Sequence, residues 1–305
     1  MNVRPARLAA TLALALAIAL LAGPAGADET EPTPTPTPSP SPTTAPEVPS
    51  ITPGSAATIT GTPRFRRTLT ASPGRWKASG LTFSYRWYRD GKPITGKGST
   101  KRTRELTHLD VGKRLSVRVT ASKAGHRPAT GLMSQRTGTV RHLRDPRRTV
   151  TYSVVNDGSR LDMASVRRQV AAIYADARGW RKGAVKFRQV SRGGDFTVVL
   201  AKAERVPRYS SVCSAKWSCR VGRHVIINES RWRSSTRAWR KAGKSVASYR
   251  HMVVNHETGH WLGFGHQDCS GRGRAAPVMQ QQSKDLQGCR ANPFPLDSEA
   301  RRLVR

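Results

Sequence analysis

The stretch SVASYRHMVVNHETGHWLGFGH, residues 245–266, decides the fold of the C-terminal half of the chain. Apolar and histidine side chains recur in it every three or four residues, which is the spacing of one helical face. The members of this stripe are Tyr249, Met252, Val253, His256 and His260. The spacing predicts a helix that stops near Gly263, followed by an irregular tail that contains Gly and Pro.

Three histidines of this stretch form a candidate metal site. His256 and His260 lie one helical turn apart on the same face, so both can direct a ring nitrogen at one ion. Gly263 can adopt a backbone conformation closed to other residues, which lets the chain turn back and bring His266 to the site. Three neutral imidazoles around Zn2+ leave a fourth position for water, as a hydrolytic site requires.

Glu257 is the candidate general base, because it stands beside the first ligand and can take a proton from a water that attacks a carbonyl group. Zinc in turn polarises that carbonyl. His251 precedes His256 by five residues. On a helix it is rotated by about 140° from His256. We therefore do not expect His251 to bind the metal.

Residues 141–305 are predicted to form an α+β domain. Apolar residues predict its first strand at Val150, Tyr152 and Val154 and its first helix at Val166, Val170, Ile173 and Tyr174. Two later strands are predicted at Phe196, Val198 and Leu200 and at Val225, Ile226 and Ile227. Ser159 and Asp162 are candidate caps for the first helix. The motif helix of residues 245–263 follows these elements.

Residues 51–140 are predicted to form an all-β sandwich. Alternation of apolar and polar residues predicts strands on two sets, namely Leu81, Phe83, Tyr85 and Trp87, and then Leu115, Val117 and Val119. Asp90-Gly91 predicts the turn of a β-hairpin after the first of these strands. No catalytic constellation occurs in this region.

The N-terminus predicts export. Arg4 and Arg7 precede the apolar run Leu8 to Ala22, and Ala25-Gly26-Ala27 is a small-residue cleavage site, so residues 1–27 are expected to be a signal peptide. Residues 28–50 are a Pro/Thr/Ser-rich linker that is expected to be extended. The mature protein is expected to be secreted or associated with the cell wall, without a membrane span.

The chain carries 53 basic and 19 acidic residues, a formal net charge of +34. Such a field attracts polyanions, and an anionic cell-wall polymer or nucleic acid could respond to it. Export favours the wall polymer, although a solvated basic surface without a dedicated partner would have the same composition.

A basic stretch at residues 231–241, RWRSSTRAWRK, contains two Trp among its basic residues. This pattern suits either single-stranded nucleic acid or a basic surface segment anchored by two Trp, and we favour the second.

The four cysteines, Cys213, Cys219, Cys269 and Cys289, predict two disulfides, because an exported chain folds in an oxidising compartment. Three pairings are possible. Proximity along the chain favours Cys213 with Cys219 and Cys269 with Cys289. A cysteine zinc site would need shorter paired spacings than these.

The motif HETGHWLGFGH, followed by Pro277-Val278-Met279, resembles the metzincin clan of zinc endopeptidases, whose signature adds a downstream turn containing Met. The stretches YSVVNDGSR, VNHETGHWLGFGHQDC and APVMQQQSK resemble a secreted actinobacterial family with a metzincin-like domain, domain of unknown function 3152, over about residues 141–305. The resemblance implies that His256, His260 and His266 bind zinc, that Glu257 is the general base, and that Met279 lies beneath the metal. Some clan members carry Tyr where this chain has Gln281, so a Tyr-assisted mechanism is not expected.

Residues 51–140 resemble the immunoglobulin-like modules of bacterial surface and secreted proteins, through TITGTPRFRRTLTASPGRW, YRWYRDGKPI and DVGKRLSVRVTASKAG. They lack the Cys pair of antibody-type domains.

The two resemblances together predict a multidomain protein in which an immunoglobulin-like sandwich precedes a metzincin-like zinc protease domain. It is expected to be a monomeric metalloendopeptidase that hydrolyses a peptide or protein by a zinc-activated water. The alternative is a wall-binding or polyanion-binding protein with a structural or vestigial zinc site, and a cell-wall peptide is an alternative substrate.

Overall fold

The structure is a computed structural model that describes residues 47–304. The predicted signal peptide, residues 1–27, and most of the predicted linker, residues 28–50, lie outside the described residues. No helix within residues 47–304 has the length and apolar character that a membrane crossing requires.

Seven strands in the N-terminal half form two antiparallel sheets. Their bounds are β1 Thr58–Thr60, β2 Thr68–Ser72, β3 Thr82–Arg89, β4 Lys92–Pro93, β5 Thr103–Glu105, β6 Leu115–Ser122 and β7 Ala129–Thr130. One sheet has the order β1-β2-β5 and the other β4-β3-β6-β7. Side chains of both sheets share one apolar core. Region 51–140 is therefore built from strands, as the alternation predicts.

The hairpin between β3 and β4 has the predicted turn. Arg89 pairs with Lys92, which leaves Asp90 and Gly91 as a two-residue loop. Their φ angles are 46° and 83°. This is the left-handed geometry that the right-handed strand twist favours in two-residue hairpins.

The C-terminal half is an α+β unit, as predicted. Its strands are β8 Arg148–Asp157, β9 Val185–Gln189, β10 Phe196–Ala201, β11 Cys219–Val221 and β12 His224–Asn228. Its helices are α1 Met163–Ala175, α2 Glu229–Ser234, α3 Arg237–Lys241, α4 Val246–Trp261 and α5 Asp297–Arg301. The sheet order is β11-β12-β10-β8-β9, in which only β11 is antiparallel to its neighbour.

The central strand β10 is buried on both faces. Phe196, Val198 and Leu200 belong to the main core, as the alternation predicts, whereas Val199 and Ala201 belong to a second core on the opposite face. Parallel strands are covered on both sides and therefore read as continuous apolar runs.

The predicted helices occupy the main core face of the sheet. In α1 the four predicted residues Val166, Val170, Ile173 and Tyr174 are buried, and the carboxylate of Asp162 caps the helix by accepting hydrogen bonds from two backbone amides. The helix α4 packs against β12 and α1 and buries Tyr249, Met252 and Val253. The basic stretch of residues 231–241 folds into α2 and α3, and its Trp232 and Trp239 are buried in the same core. Neither indole is exposed for stacking on a nucleic-acid base.

The strand-rich half and the α+β half meet at ion pairs and backbone contacts, and residues from Val48 onward form one compact unit. Arg66 beside β2 pairs with Asp297 of α5 at 2.7 Å. The same carboxylate pairs with Lys182 at 2.9 Å. Arg64 pairs with Asp145 at 2.9 Å, which fixes the connecting segment.

Candidate metal centre

The helix α4 begins and ends with defined caps, and its end turns the chain back toward the histidines. Ser245 caps the start by accepting a hydrogen bond from the amide of Ser248. At the end, Gly263 has a φ of 93°. The amide of Gly263 donates to the carbonyl of His260 at 3.2 Å, and that of Phe264 to Gly259 at 3.0 Å. This pair of bonds is a Schellman motif, and it requires the left-handed conformation that glycine adopts readily.

The reversal brings the third histidine to the other two. The Nε2 atom of His260 lies 3.2 Å from Nε2 of His256 and 3.1 Å from Nε2 of His266. One ligand atom from each of the three residues lies within 4.8 Å of the others. The three histidines predicted from the sequence therefore form one cluster with the dimensions of a metal site.

Backbone carbonyls orient two of the rings. Nδ1 of His256 lies 2.8 Å from the carbonyl oxygen of Val278, and Nδ1 of His260 lies 2.9 Å from that of Phe264. A carbonyl only accepts, so in both rings Nδ1 carries the proton and Nε2 presents its lone pair to the cluster. Lone pairs that converge at about 3 Å repel one another unless a cation lies between them.

Burial keeps the cluster neutral. It lowers the pKa of His256 to about 3, and the nearby His260 adds to this effect. Burial also lowers the pKa values of His260 and His266. Neutral imidazole is the form that binds a metal.

Glu257 lies in the same cleft as the three histidines. Glu257 is buried, with 6% of its surface exposed. Burial raises the pKa of Glu257 to about 8, although the positive charge of Arg220 opposes the shift. A carboxyl group with a pKa near neutrality is suited to accepting and releasing a proton.

Met279 lies beneath α4, where Gly259 makes room for it. Met279 is fully buried, in a cluster with Trp180, Phe264 and Val278. A Cβ added at Gly259 would collide with Sδ of Met279 and would lie 2.9 Å from Cζ2 of Trp180. The close approach of Met279 to the helix between His256 and His260 therefore depends on this glycine.

A buried carboxylate holds the turn that contains Met279. Glu299 of α5 accepts hydrogen bonds from the amides of Val278, Met279 and Leu296 at 3.0, 3.0 and 2.6 Å. The carbonyl of Val278 in turn accepts from His256. Glu299 is thus connected to the first histidine through one peptide unit.

The cleft has a volume of about 390 Å³, and β11, the segment before it and residues 281–284 contribute to its lining. A disulfide between Cys213 and Cys219 ties that segment to β11. A second disulfide joins Cys269 to Cys289. Two disulfides are thus present, with the pairing that chain proximity favours.

His251 and Gln281 occupy different surroundings. His251 lies outside the cluster, where its Nδ1 is 3.9 Å from a carboxylate oxygen of Asp176 and its ring packs on Phe294. Gln281 lines the cleft.

The sequence analysis missed three residues near the histidine cluster. Arg220 and Lys284 line the cleft, and Glu299 holds the turn that contains Met279. Arg220 neighbours Cys219 in the sequence, but neither it nor Glu299 stands in a motif.

The family model described as "Protein of unknown function (DUF3152)" matches residues 129–301, more than half of the chain. The chain belongs to this family. The DUF3152 match runs from β7 to the end of α5 and includes both disulfides, Glu299 and all residues of the histidine cluster. No curated protein and no solved structure is significantly similar to the chain.

Proposed function

We propose that the chain is a secreted zinc metalloendopeptidase of the metzincin type. The observation that carries this proposal is the convergence of three Nε2 atoms in an open cleft that also contains the buried carboxyl group of Glu257. A site that only stabilised the fold would have four protein ligands and no use for a neighbouring base.

The donor set fits zinc. Two imidazole nitrogens that each lie 2.0–2.1 Å from a tetrahedral zinc are about 3.3 Å apart, close to the separations of 3.1 and 3.2 Å from Nε2 of His260. Imidazole suits zinc better than it suits magnesium or calcium, which prefer oxygen ligands. When bound, zinc supplies Lewis acidity toward a water and toward the carbonyl oxygen of the scissile bond.

Glu257 performs the proton transfers in this mechanism. Its carboxylate accepts a proton from the attacking water, and the resulting carboxylic acid donates that proton to the leaving amine. One water is consumed, and one carboxylic acid and one amine are formed. Burial raises the pKa of Glu257, which favours the protonated form that the carboxyl group takes between the two transfers.

The edge strand β11 supplies main-chain contacts for the substrate. Cys219 and Arg220 of β11 line the cleft, and β11 pairs only with β12 among the described strands, which leaves one of its edges without a strand partner there. An extended peptide added along this edge would gain main-chain hydrogen bonds, while side-chain pockets would give selectivity.

The remaining regions fit an exported enzyme. We propose that residues 51–140 are an immunoglobulin-like spacer or wall-binding module and that the basic surface attracts an anionic cell-wall polymer. The net charge of +34 supports binding of an anionic polymer. The two disulfides are compatible with an oxidising compartment.

The test is the Glu257→Ala variant of the full chain, compared with Glu257→Gln to keep the side-chain volume. We expect zinc binding to persist and peptide hydrolysis to fall by a factor of about 100 to 10,000. Glu204→Gln, at an exposed glutamate outside the cleft, is the control and should remain active. Zinc content by elemental analysis and cleavage of a peptide library are the measurements.

Turnover that survives in both Glu257 variants would remove this residue from its assigned role. Salt-sensitive binding to isolated cell wall, with no peptide cleaved by the zinc-loaded chain, would instead support the alternative of a polyanion-binding protein with a structural zinc site.

A further inference from the structure

The exposed charged side chains that line the cleft are positive. Three charged residues other than histidine line the cleft: Arg220, Lys284 and Glu257. Glu257 is buried, whereas Arg220 and Lys284 are exposed. A substrate in the cleft would therefore meet two exposed cations.

Arg220 belongs to the wall formed by β11. Its Nη2 donates to the carbonyl of His260 at 3.1 Å, which holds the guanidinium beside the histidine cluster. Its charge acts on both Glu257 and His260. Within residues 47–304, no carboxylate forms an ion pair with Arg220.

Lys284 lines the cleft from a different part of the chain, the segment that follows Met279. Its charge acts on His256 and His266. It too forms no ion pair in the described part of the chain. The nearby acids in the sequence, Asp268 and Asp285, do not line the cleft, and each accepts a hydrogen bond from a neutral donor, Gln287 and the amide of Leu286.

The positive charge continues along the β11 side. Trp217 lines the cleft, and both Lys216 and Arg231 lie against its ring, at 5.2 and 5.8 Å from the centroid. A basic peptide would be repelled along this wall, and a neutral one would leave the cations without partners. An acidic peptide would pair with them and would be steered toward the cleft.

We propose that the cleft selects peptides that carry Asp or Glu on both sides of the scissile bond, one paired with Arg220 and the other with Lys284. This inference rests on the proposed peptidase function, since it names the substrate class of the same site.

The experiment uses the full chain loaded with zinc and three sets of quenched fluorogenic peptides. The sets differ only in the residues that flank the scissile bond, which are Asp and Glu, Asn and Gln, or Lys. We expect kcat/KM for the acidic set to exceed that for the amide set by about tenfold, because each exposed ion pair contributes about two- to fivefold. The preference should shrink between 0.1 and 1 M salt, as the Debye length falls from about 10 Å to about 3 Å.

Arg220→Gln and Lys284→Gln should each reduce the ratio of acidic to amide cleavage, and Arg220→Lys should restore part of it. Arg188→Gln and Lys186→Gln on β9, at the opposite edge of the sheet, are the matched controls and should leave the ratio unchanged. Fluorescence anisotropy of labelled, uncleaved peptides with the Glu257→Ala variant gives a second readout, in which the acidic set should bind more tightly.

Cleavage of all three sets at equal rates would overturn the acidic preference while leaving the peptidase proposal intact. Tighter binding of the acidic set without hydrolysis of any peptide would support the cation pair and overturn the peptidase. A preference that persists in both Gln variants would show that other residues select the substrate and would overturn the assignment to Arg220 and Lys284.

Discussion

At Gly259 the helix α4 presents only a hydrogen atom to the side chains beneath it. Met279 and Trp180 fill the space that a Cβ would occupy. Both are almost completely buried, in a cluster with Phe264 and Val278, so neither can move aside without disturbing its neighbours. This glycine lies between two of the three histidines, and its packing therefore affects the metal centre directly.

The Gly259→Ala variant tests this contact. Alanine favours a helix over glycine by about 1 kcal/mol, but overpacking a tight core costs about 1–3 kcal/mol. We expect a net loss of stability in urea denaturation and a lower zinc affinity by competition with a chelator. Gly265→Ala is the control, because no atom lies within 4 Å of the added Cβ. Unchanged stability and zinc affinity in Gly259→Ala would contradict the close packing.

Among the elements, the short helix α5 reaches the metal centre through Glu299, which accepts from the amides of Val278 and Met279. It has five residues, Asp297–Arg301. Isolated helices of this length are unstable in water. Its stability must come from tertiary contacts, and the buried hydrogen bonds of Glu299 to the Met279 turn are among them. The same bonds place the carbonyl of Val278 that orients His256.

For Glu299→Gln we expect a weaker metal site. The amide offers one acceptor oxygen where the carboxylate offers two, so at least one buried amide loses its partner, at a cost of about 1–3 kcal/mol. Loss of a residue that orients a ligand lowers metal affinity by about 10- to 100-fold. Zinc titration monitored by calorimetry measures this change. An affinity equal to that of the wild type would mean that α5 does not position the ligand.

For the whole molecule, the segment that joins its two halves contains a histidine with a strongly shifted pKa. Burial lowers the pKa of His142 from 6.5 to about 4, and the positive charge of Arg181 acts in the same direction. Its Nδ1 is buried without a hydrogen-bond partner in the described structure. The carbonyl of His142 accepts from Arg64 at 2.9 Å, so the residue lies where the strand-rich half meets the connecting segment.

This shift makes stability depend on pH. Between pH 6.5 and about 4 the unfolded chain binds a proton at His142 that the folded chain does not, so the free energy of unfolding falls as the pH falls through this window. A shift of one pKa unit corresponds to about 1.4 kcal/mol in the free energy of unfolding. The side chain is partly exposed, and solvent screening reduces this contribution. Between pH 7 and pH 5 we expect the Tm of His142→Gln to fall less than that of the wild type. The difference between the two falls should be about 2–4 °C.

The measurement is differential scanning calorimetry with chelator present, so that metal release does not contribute. Other buried histidines, such as His251, add the same dependence to both proteins. The comparison therefore isolates His142, and parallel Tm curves for the two proteins would contradict its contribution.

The sequence by itself determined the local features of this protein. The spacing of His256 and His260 places them on one helical face, Gly263 provides the left-handed residue that ends α4, and Asp90-Gly91 turns the first hairpin. These features were predictable because the geometry of a helix or a turn relates residues only a few positions apart. The histidine cluster could be predicted for the same reason, since its three ligands lie within one short stretch.

Only the tertiary structure decided what surrounds that cluster. Glu299, Arg220 and Lys284 reach the site from α5, β11 and the segment after Met279, and no periodic pattern relates them to the histidines. The alternation in β10 likewise indicated one buried face, whereas the fold buries both. Contacts between distant segments depend on how the sheet and helices pack, and that packing joins residues too far apart in the sequence for a local pattern to relate them.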